Sequence, residues 1–174
     1  MTNHSLTATG RNQLAPAIKA ILLAGLLTGL LDATAAMVQA YFWNDVTPDR
    51  VWKYVASGAL GRPAFSGGAG IVVMGLLFHF IIAFAFTVTF FFLYPWIRPY
   101  APHIVVTGML WGIVVWAVMQ FVVVPLSNVP PLPPFSFKRA LPQMVIHLFC
   151  GGLPMALVIH RYYVKKTRVV QKSK

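Results

Sequence analysis

Hydrophobic and polar positions along this chain separate into blocks. Four apolar runs stand at about 18–40, 70–94, 103–125 and 141–163. Each is longer than the ~20 residues an α-helix needs to cross a hydrocarbon core of ~30 Å. Within them the formal charges are Lys19, Asp32 and Arg161. Lys19 and Arg161 stand at run ends, where a long basic side chain snorkels to the headgroups; Asp32 does not. The other way to span a bilayer is a closed barrel, whose strands alternate apolar and polar positions. The run Ile71-Val72-Val73-Met74-Gly75-Leu76-Leu77-Phe78 does not alternate.

The pattern predicts an all-α, four-transmembrane-helix bundle over 18–163. A polar tail, 1–17, precedes it and a basic tail, 164–174, follows it. The first tail carries Gly10, Asn12 and Pro16 and is expected to be poorly ordered. In the loop 44–69, Pro48 and Asp49 suit a helix start. Val51, Trp52, Val55 and Ala59 then fall on one face, with Arg50, Lys53 and Ser57 on the other. This predicts a short amphipathic helix lying on the outer membrane surface. Prolines 95, 99 and 102 bracket an inner turn; prolines 125, 130, 131, 133 and 134 predict a stiff outer spacer.

Composition agrees: 58% of the 174 residues are hydrophobic and 10% are charged, against roughly 25% charged in a soluble domain. The net charge of +11 reads as topology and anionic-lipid attraction, not nucleic-acid binding. Six basic residues, Arg161, Lys165, Lys166, Arg168, Lys172 and Lys174, gather at the end of the sequence. With Arg11, Lys19 and Arg98 they form one set; Arg50, Lys53, Arg62, Lys138 and Arg139 form the other. The larger set belongs inside, giving N-in and C-in. A cleaved leader ending near Ala33-Thr34-Ala35 is the competing reading of the first run, but apolar character continues to Tyr41-Phe42-Trp43. The lone Cys150 leaves no disulfide within the chain and no cysteine-based zinc site.

Each run pairs small residues with a polar one at helical spacing. Gly25, Gly29, Asp32 and Ala36 share a stripe; so do Gly75 and His79, then Gly108, Gly112, Trp116 and Gln120, then His147, Gly151 and Pro154. Such stripes let membrane helices approach closely, within one chain or between copies, so a homo-oligomer or another membrane subunit is a possible partner. At ~1.5 Å per residue, Asp32, His79, Gln120 and His147 lie roughly 12, 13, 7 and 9 Å below the outer surface. They can form one polar layer.

Four readings of that layer follow: a proton relay, a b-type haem or metal held by His79 and His147, a small-molecule pocket, or a structural Asp–His pair fixing helix register. The favoured expectation is no cofactor and no metal, with haem b as a remoter alternative. A second candidate is the Gly-rich loop, where Ser57, Gly58, Gly61, Arg62, Gly67 and Gly68 suit either a lipid phosphate or a close-packed turn. There is no glutamate, no Gly-x-Ser-x-Gly and no His-Glu-x-x-His, so nothing argues for catalysis.

Several segments carry a resemblance: Tyr54-Val55-Ala56-Ser57-Gly58-Ala59-Leu60-Gly61, Ala64-Phe65-Ser66-Gly67-Gly68, Gly75-Leu76-Leu77-Phe78-His79-Phe80, Phe121-Val122-Val123-Val124-Pro125-Leu126-Ser127, and His147 with Gly151-Gly152-Leu153-Pro154. Over about residues 20–163 the chain resembles a widespread group of small, uncharacterised bacterial inner-membrane proteins. A weaker similarity links it to the YagU-like four-helix proteins associated with acid resistance. The resemblance implies four helices in a bacterial inner membrane and transfers no catalytic residue. The expected function is a non-enzymatic envelope or stress accessory protein, the alternatives being a small transporter or proton conductor and a haem-binding electron-transfer subunit. Reporter fusions after Ser57 and Pro134 should report outside, and fusions after Arg98 and Lys174 inside. An inside signal at Pro134 would merge the last two spans.

Overall fold

The computed structural model describes residues 4–101, 103–131 and 135–172. Pro102, Pro133, Pro134 and Lys174 lie outside the described residues, as do the side chains of Arg11, Arg168 and Lys172. Six α-helices account for most of the chain, with no strand among the described residues: α1 (His4–Asn44), α2 (Pro48–Leu60), α3 (Ala69–Ile97), α4 (Ile104–Val118), α5 (Phe137–Ile146) and α6 (Leu153–Lys172). A π-turn, Met119–Val123, extends α4. A second, His147–Gly152, joins α5 to α6 as one rod. Four segments are long and apolar enough to cross a membrane: Leu14–Asn44, Ala69–Tyr100, Ile104–Leu126 and Phe137–Thr167. Their exposed side chains are those of a lipid-facing surface, Leu30, Val73, Leu77, Ile81, Phe92 and Leu110 among them. In water so large an apolar surface would be a liability; in a bilayer it is a solvated exterior. The protein is a multi-pass membrane protein of the all-α class.

The tail expectation changes: residues 4–17 form the first turns of α1, with Pro16 inside the helix. Once a spanning segment is helical, each further residue costs only its own ordering, so the helix extends into polar sequence.

Both π-turns precede a proline by the same margin. Val123 and Val124 stand before Pro125, and Gly152 and Leu153 before Pro154. Proline has no N–H, and its ring crowds the carbonyl four residues back. Inside hydrocarbon the freed backbone groups must find partners within the protein. Just before each proline the backbone bonding takes the wider spacing: Val124 N–H reaches back to the Met119 carbonyl, and Leu153 N–H to the Leu148 carbonyl.

Glycines set the helix spacing. A Cβ on Gly152 would overlap the Gly108 carbonyl oxygen, and one on Gly112 would stand 2.5 Å from the His147 carbonyl oxygen. The α4 backbone therefore lies directly against the rod of α5 and α6. Gly152, not Gly151, makes this approach. On the other side Gly25 and Gly29 receive the rings of Phe84 and Phe80 from α3. The Gly25-x-x-x-Gly29 pattern is thus used within the chain. Toward the Arg98 end of α3 these contacts close around a core of Ala20, Ala24, Phe90, Phe91, Trp111, Met155, Ala156 and Ile159.

The amphipathic helix α2 is present, but its contacts differ from the expected ones. A Cβ on Gly75 would collide with the Trp52 carbonyl, so α2 is pressed against α3. Trp52 and Ala56 are buried, and Ser57 is 0% exposed, while Ala59 is exposed. Ser57 was expected on the polar face. It can be buried because its hydroxyl donates to the Tyr54 carbonyl at 2.7 Å within the same helix. Polar groups at the start of α2 remain outside: Thr47 donates to Asp49 at 2.6 Å and Lys53 pairs with Asp49 at 3.1 Å. The Thr47 hydroxyl, then Lys53, holds the Asp49 carboxyl below its ordinary range.

Alanine at Gly152 or Gly75 should destabilise the detergent-solubilised protein by about 1–3 kcal/mol, the usual cost of overpacking. Gly70→Ala, with nothing near its Cβ position, should stay within about 0.5 kcal/mol of the parent. Thermal unfolding followed by circular dichroism measures all three. Equal effects would mean that close backbone approach does not hold the bundle.

Candidate functional site

Above the packed inner core the helices part around a cavity of about 340 Å³. All five rods reach it: α1, α2, α3, α4 with its π-turn, and the α5–α6 rod. Asp32, His79, Gln120 and His147 all line it. The stripe spacing turns them inward, and the two π-turns present Gln120 and His147 directly. Widened turns of this kind recur at functional sites because they re-aim side chains.

Hydrogen bonds within the layer are not the expected Asp–His pair. The Nε2–H of His79 donates to the Gly29 carbonyl at 3.0 Å. The Nδ1–H of His147 donates to the Gln143 carbonyl at 2.8 Å, one turn earlier in its own rod. A carbonyl only accepts, so each bond fixes a tautomer. His79 keeps Nδ1 as an acceptor and His147 keeps Nε2. Thr28 donates to the Gly151 carbonyl at 3.4 Å, tying α1 to the second π-turn. Asp32 bonds to neither histidine. Its Oδ1 is buried with no hydrogen-bond partner among the described residues, and Trp116 Nε1 is in the same condition; both residues line the cavity. A structural role for Asp32 requires a bonded neighbour, and here each histidine is satisfied by backbone instead.

Trp116, on the stripe of Gly108, Gly112 and Gln120, joins the site, with three residues that spacing did not single out for it: Tyr54, Trp52 and Gln143. Gln143 could have been found as the residue four before His147, on the same helical face. Trp52 and Tyr54 become visible only once α2 docks. The His79 ring packs edge-on to Trp52, with centroids 5.6 Å apart. Burial pushes the Tyr54 phenol above its ordinary pKa, so it stays neutral. Among the described residues no three His, Cys, Asp or Glu side chains are grouped to hold a metal ion.

The Gly-rich loop folds on itself. Its backbone donors are spent on successive tight turns: Gly61 to Ser57, Ala64 to Gly61, Gly67 to Ala64 and Ile71 to Gly68. Gly61 has φ +69°, a left-handed conformation suited to glycine. Gly58 is held by the Asn128 N–H at 2.9 Å, and Asn128 Nδ2 reaches the Ala59 carbonyl at 3.0 Å. Gly67 packs against Ile71, Gly68 has open space around it, and Arg62 is exposed. Ser57 is buried and these donors are used internally, the arrangement of a close-packed turn. Near the Arg98 end of α3 a second cavity, about 190 Å³, lies beside Tyr94, Arg98, Thr107 and His160. There the Tyr94 hydroxyl is bonded to His160 Nδ1.

No family model matches this chain, and neither a curated protein nor a solved structure matches it. The site is therefore read from its own chemistry.

Because no protein group bonds Asp32 Oδ1, removing the carboxylate orphans nothing. Insertion scales put the cost of a mid-helix Asp at roughly 2.5–3.5 kcal/mol. Asp32→Leu should therefore unfold at a temperature equal to or above the parent's, as should Asp32→Asn. A clear loss of stability in Asp32→Leu, rescued in Asp32→Asn, would restore the structural reading.

Proposed function

We propose that this chain is a non-enzymatic small-molecule carrier of the bacterial inner membrane, working at the cavity around Asp32. The observation that carries this reading is that Asp32, whose Oδ1 is buried and unpartnered among the described residues, lines a cavity that every spanning helix also lines. An intramembrane carboxylate is costly, and those without a structural partner are kept for ligands, ions or protons. The cavity's mixed lining, mostly apolar with a few polar groups converging, is that of a small-molecule site. Both ends of the chain lie in the cytoplasm in this reading, with α2 on the outer side. The basic residues after Arg161 then meet anionic lipid at the inner leaflet. The resemblance to small bacterial inner-membrane proteins is in keeping with this placement.

Proton conduction is the second reading, favoured by Asp32, His79 and His147 sharing the cavity. It ranks lower because both imidazoles give a proton to backbone carbonyls, so no Asp–His link connects them.

A carrier cavity must admit solutes from water. In a Cys150→Ala background, Ala36→Cys places a thiol on the cavity wall, one turn from Asp32. Leu30→Cys places one at a position 57% exposed, toward lipid. Methyl methanethiosulfonate, small and uncharged, should modify the first about as fast as Ser66→Cys in the loop. Leu30→Cys should react far more slowly, because a thiol in hydrocarbon does not ionise. An unreactive Ala36→Cys would overturn the carrier reading.

A further inference from the structure

The charge of the cavity points to its ligand. Asp32 brings one formal negative charge, and no Lys or Arg lines the wall among the described residues. Each histidine gives one ring N–H to a backbone carbonyl. In the neutral imidazole the other nitrogen, Nδ1 of His79 or Nε2 of His147, is an acceptor toward a ligand. Aromatic faces complete the wall, from Trp52 and Tyr54 on α2, Phe86 on α3 and Trp116 on α4. Such faces attract cations through the ring quadrupole, most strongly when water is excluded. One donor, Trp116 Nε1, is buried without a protein acceptor.

We propose that the cavity around Asp32 binds a small organic ammonium ion carrying an oxygen acceptor, seated between the carboxylate and the aromatic walls. The nitrogen balances Asp32, and the oxygen takes the Trp116 N–H. An anion would face an unopposed carboxylate and several lone pairs. A tightly held inorganic cation takes several ligands in place of its water, and no three His, Cys, Asp or Glu side chains are grouped among the described residues. A volume of about 340 Å³ is at the small end of ligand cavities, which run from about 300 to 1,000 Å³. This inference rests on the carrier reading, because it assigns the ligand class of that same cavity.

The test uses the Ala36→Cys variant with two reagents of similar size and opposite charge, trimethylammonioethyl and sulfonatoethyl methanethiosulfonate. Each rate is taken relative to a free thiol in solution. The cationic reagent should be favoured by about tenfold or more, as expected for a charge a few ångströms away in a partly desolvated site. In Asp32→Asn that preference should collapse to within about twofold, since an amide carries no charge. Choline should slow modification by the neutral methyl reagent, and its uncharged carbon isostere, dimethylbutanol, should not. Equal rates for the two charged reagents, a preference for the sulfonate, or equal protection by the isostere would overturn the ammonium assignment. Those outcomes leave the carrier reading standing, provided the neutral reagent still reacts. If Ala36→Cys does not fold, Val55→Cys on α2 reports on the same cavity.

Discussion

The bundle rests on a contact of backbone against backbone, where Gly108 and Gly112 of α4 meet His147 to Leu153 of the neighbouring rod. No side chain intervenes, so these two helices behave as one unit. Lipid gives no hydrophobic reason for helices to associate, and close approach at small residues supplies dispersion in its place. Everything else is arranged around that seam. On one side of it the remaining helices fill in with Phe90, Trp111 and Met155. The π-turn His147–Gly152 lies within the seam, and the π-turn Met119–Val123 lies beyond Gly112. Residues of both turns line the cavity.

The seam also explains why the polar layer is bonded as it is. A histidine on a regular α-helix in lipid looks to a neighbouring side chain for a partner. His147 sits at the start of a π-turn, and the Gln143 carbonyl is within reach of its ring. His79 finds the Gly29 carbonyl because Gly29 has no side chain to cover it. Backbone thus absorbs both imidazole protons, and Asp32 is left to face the cavity.

Much of this architecture is legible in residue order. Four apolar runs separated by Pro-rich or Gly-rich stretches specify four spans, since length and apolarity alone set that requirement. Helical spacing places Asp32, His79, Gln120 and His147 on the small-residue sides of their helices. Partners are another matter. They depend on turn geometry, and a proline in a sequence announces a break without saying whether a kink or a π-turn will result. The docking of α2 rests on one backbone approach at Gly75, which a hydropathy pattern cannot distinguish from any other helical glycine. Ser57 illustrates the same limit. A serine reads as exposed until a local carbonyl is shown to satisfy it.

The π-turns carry a consequence for how the outer helices are read. Each accommodates one residue more than an α-turn, and one residue corresponds to about 100° of rotation. The chain beyond Val123 is therefore out of phase with the chain before Met119, and the two sides of Gly152 and His147 differ likewise. In effect each of these helices has two reading frames, joined at the cavity. A substitution pattern inferred from one frame names the wrong face in the other. Deletion of a single residue within Met119–Val123 would merge the frames of α4, turning the chain beyond it as a whole while leaving Gly108 and Gly112 in place.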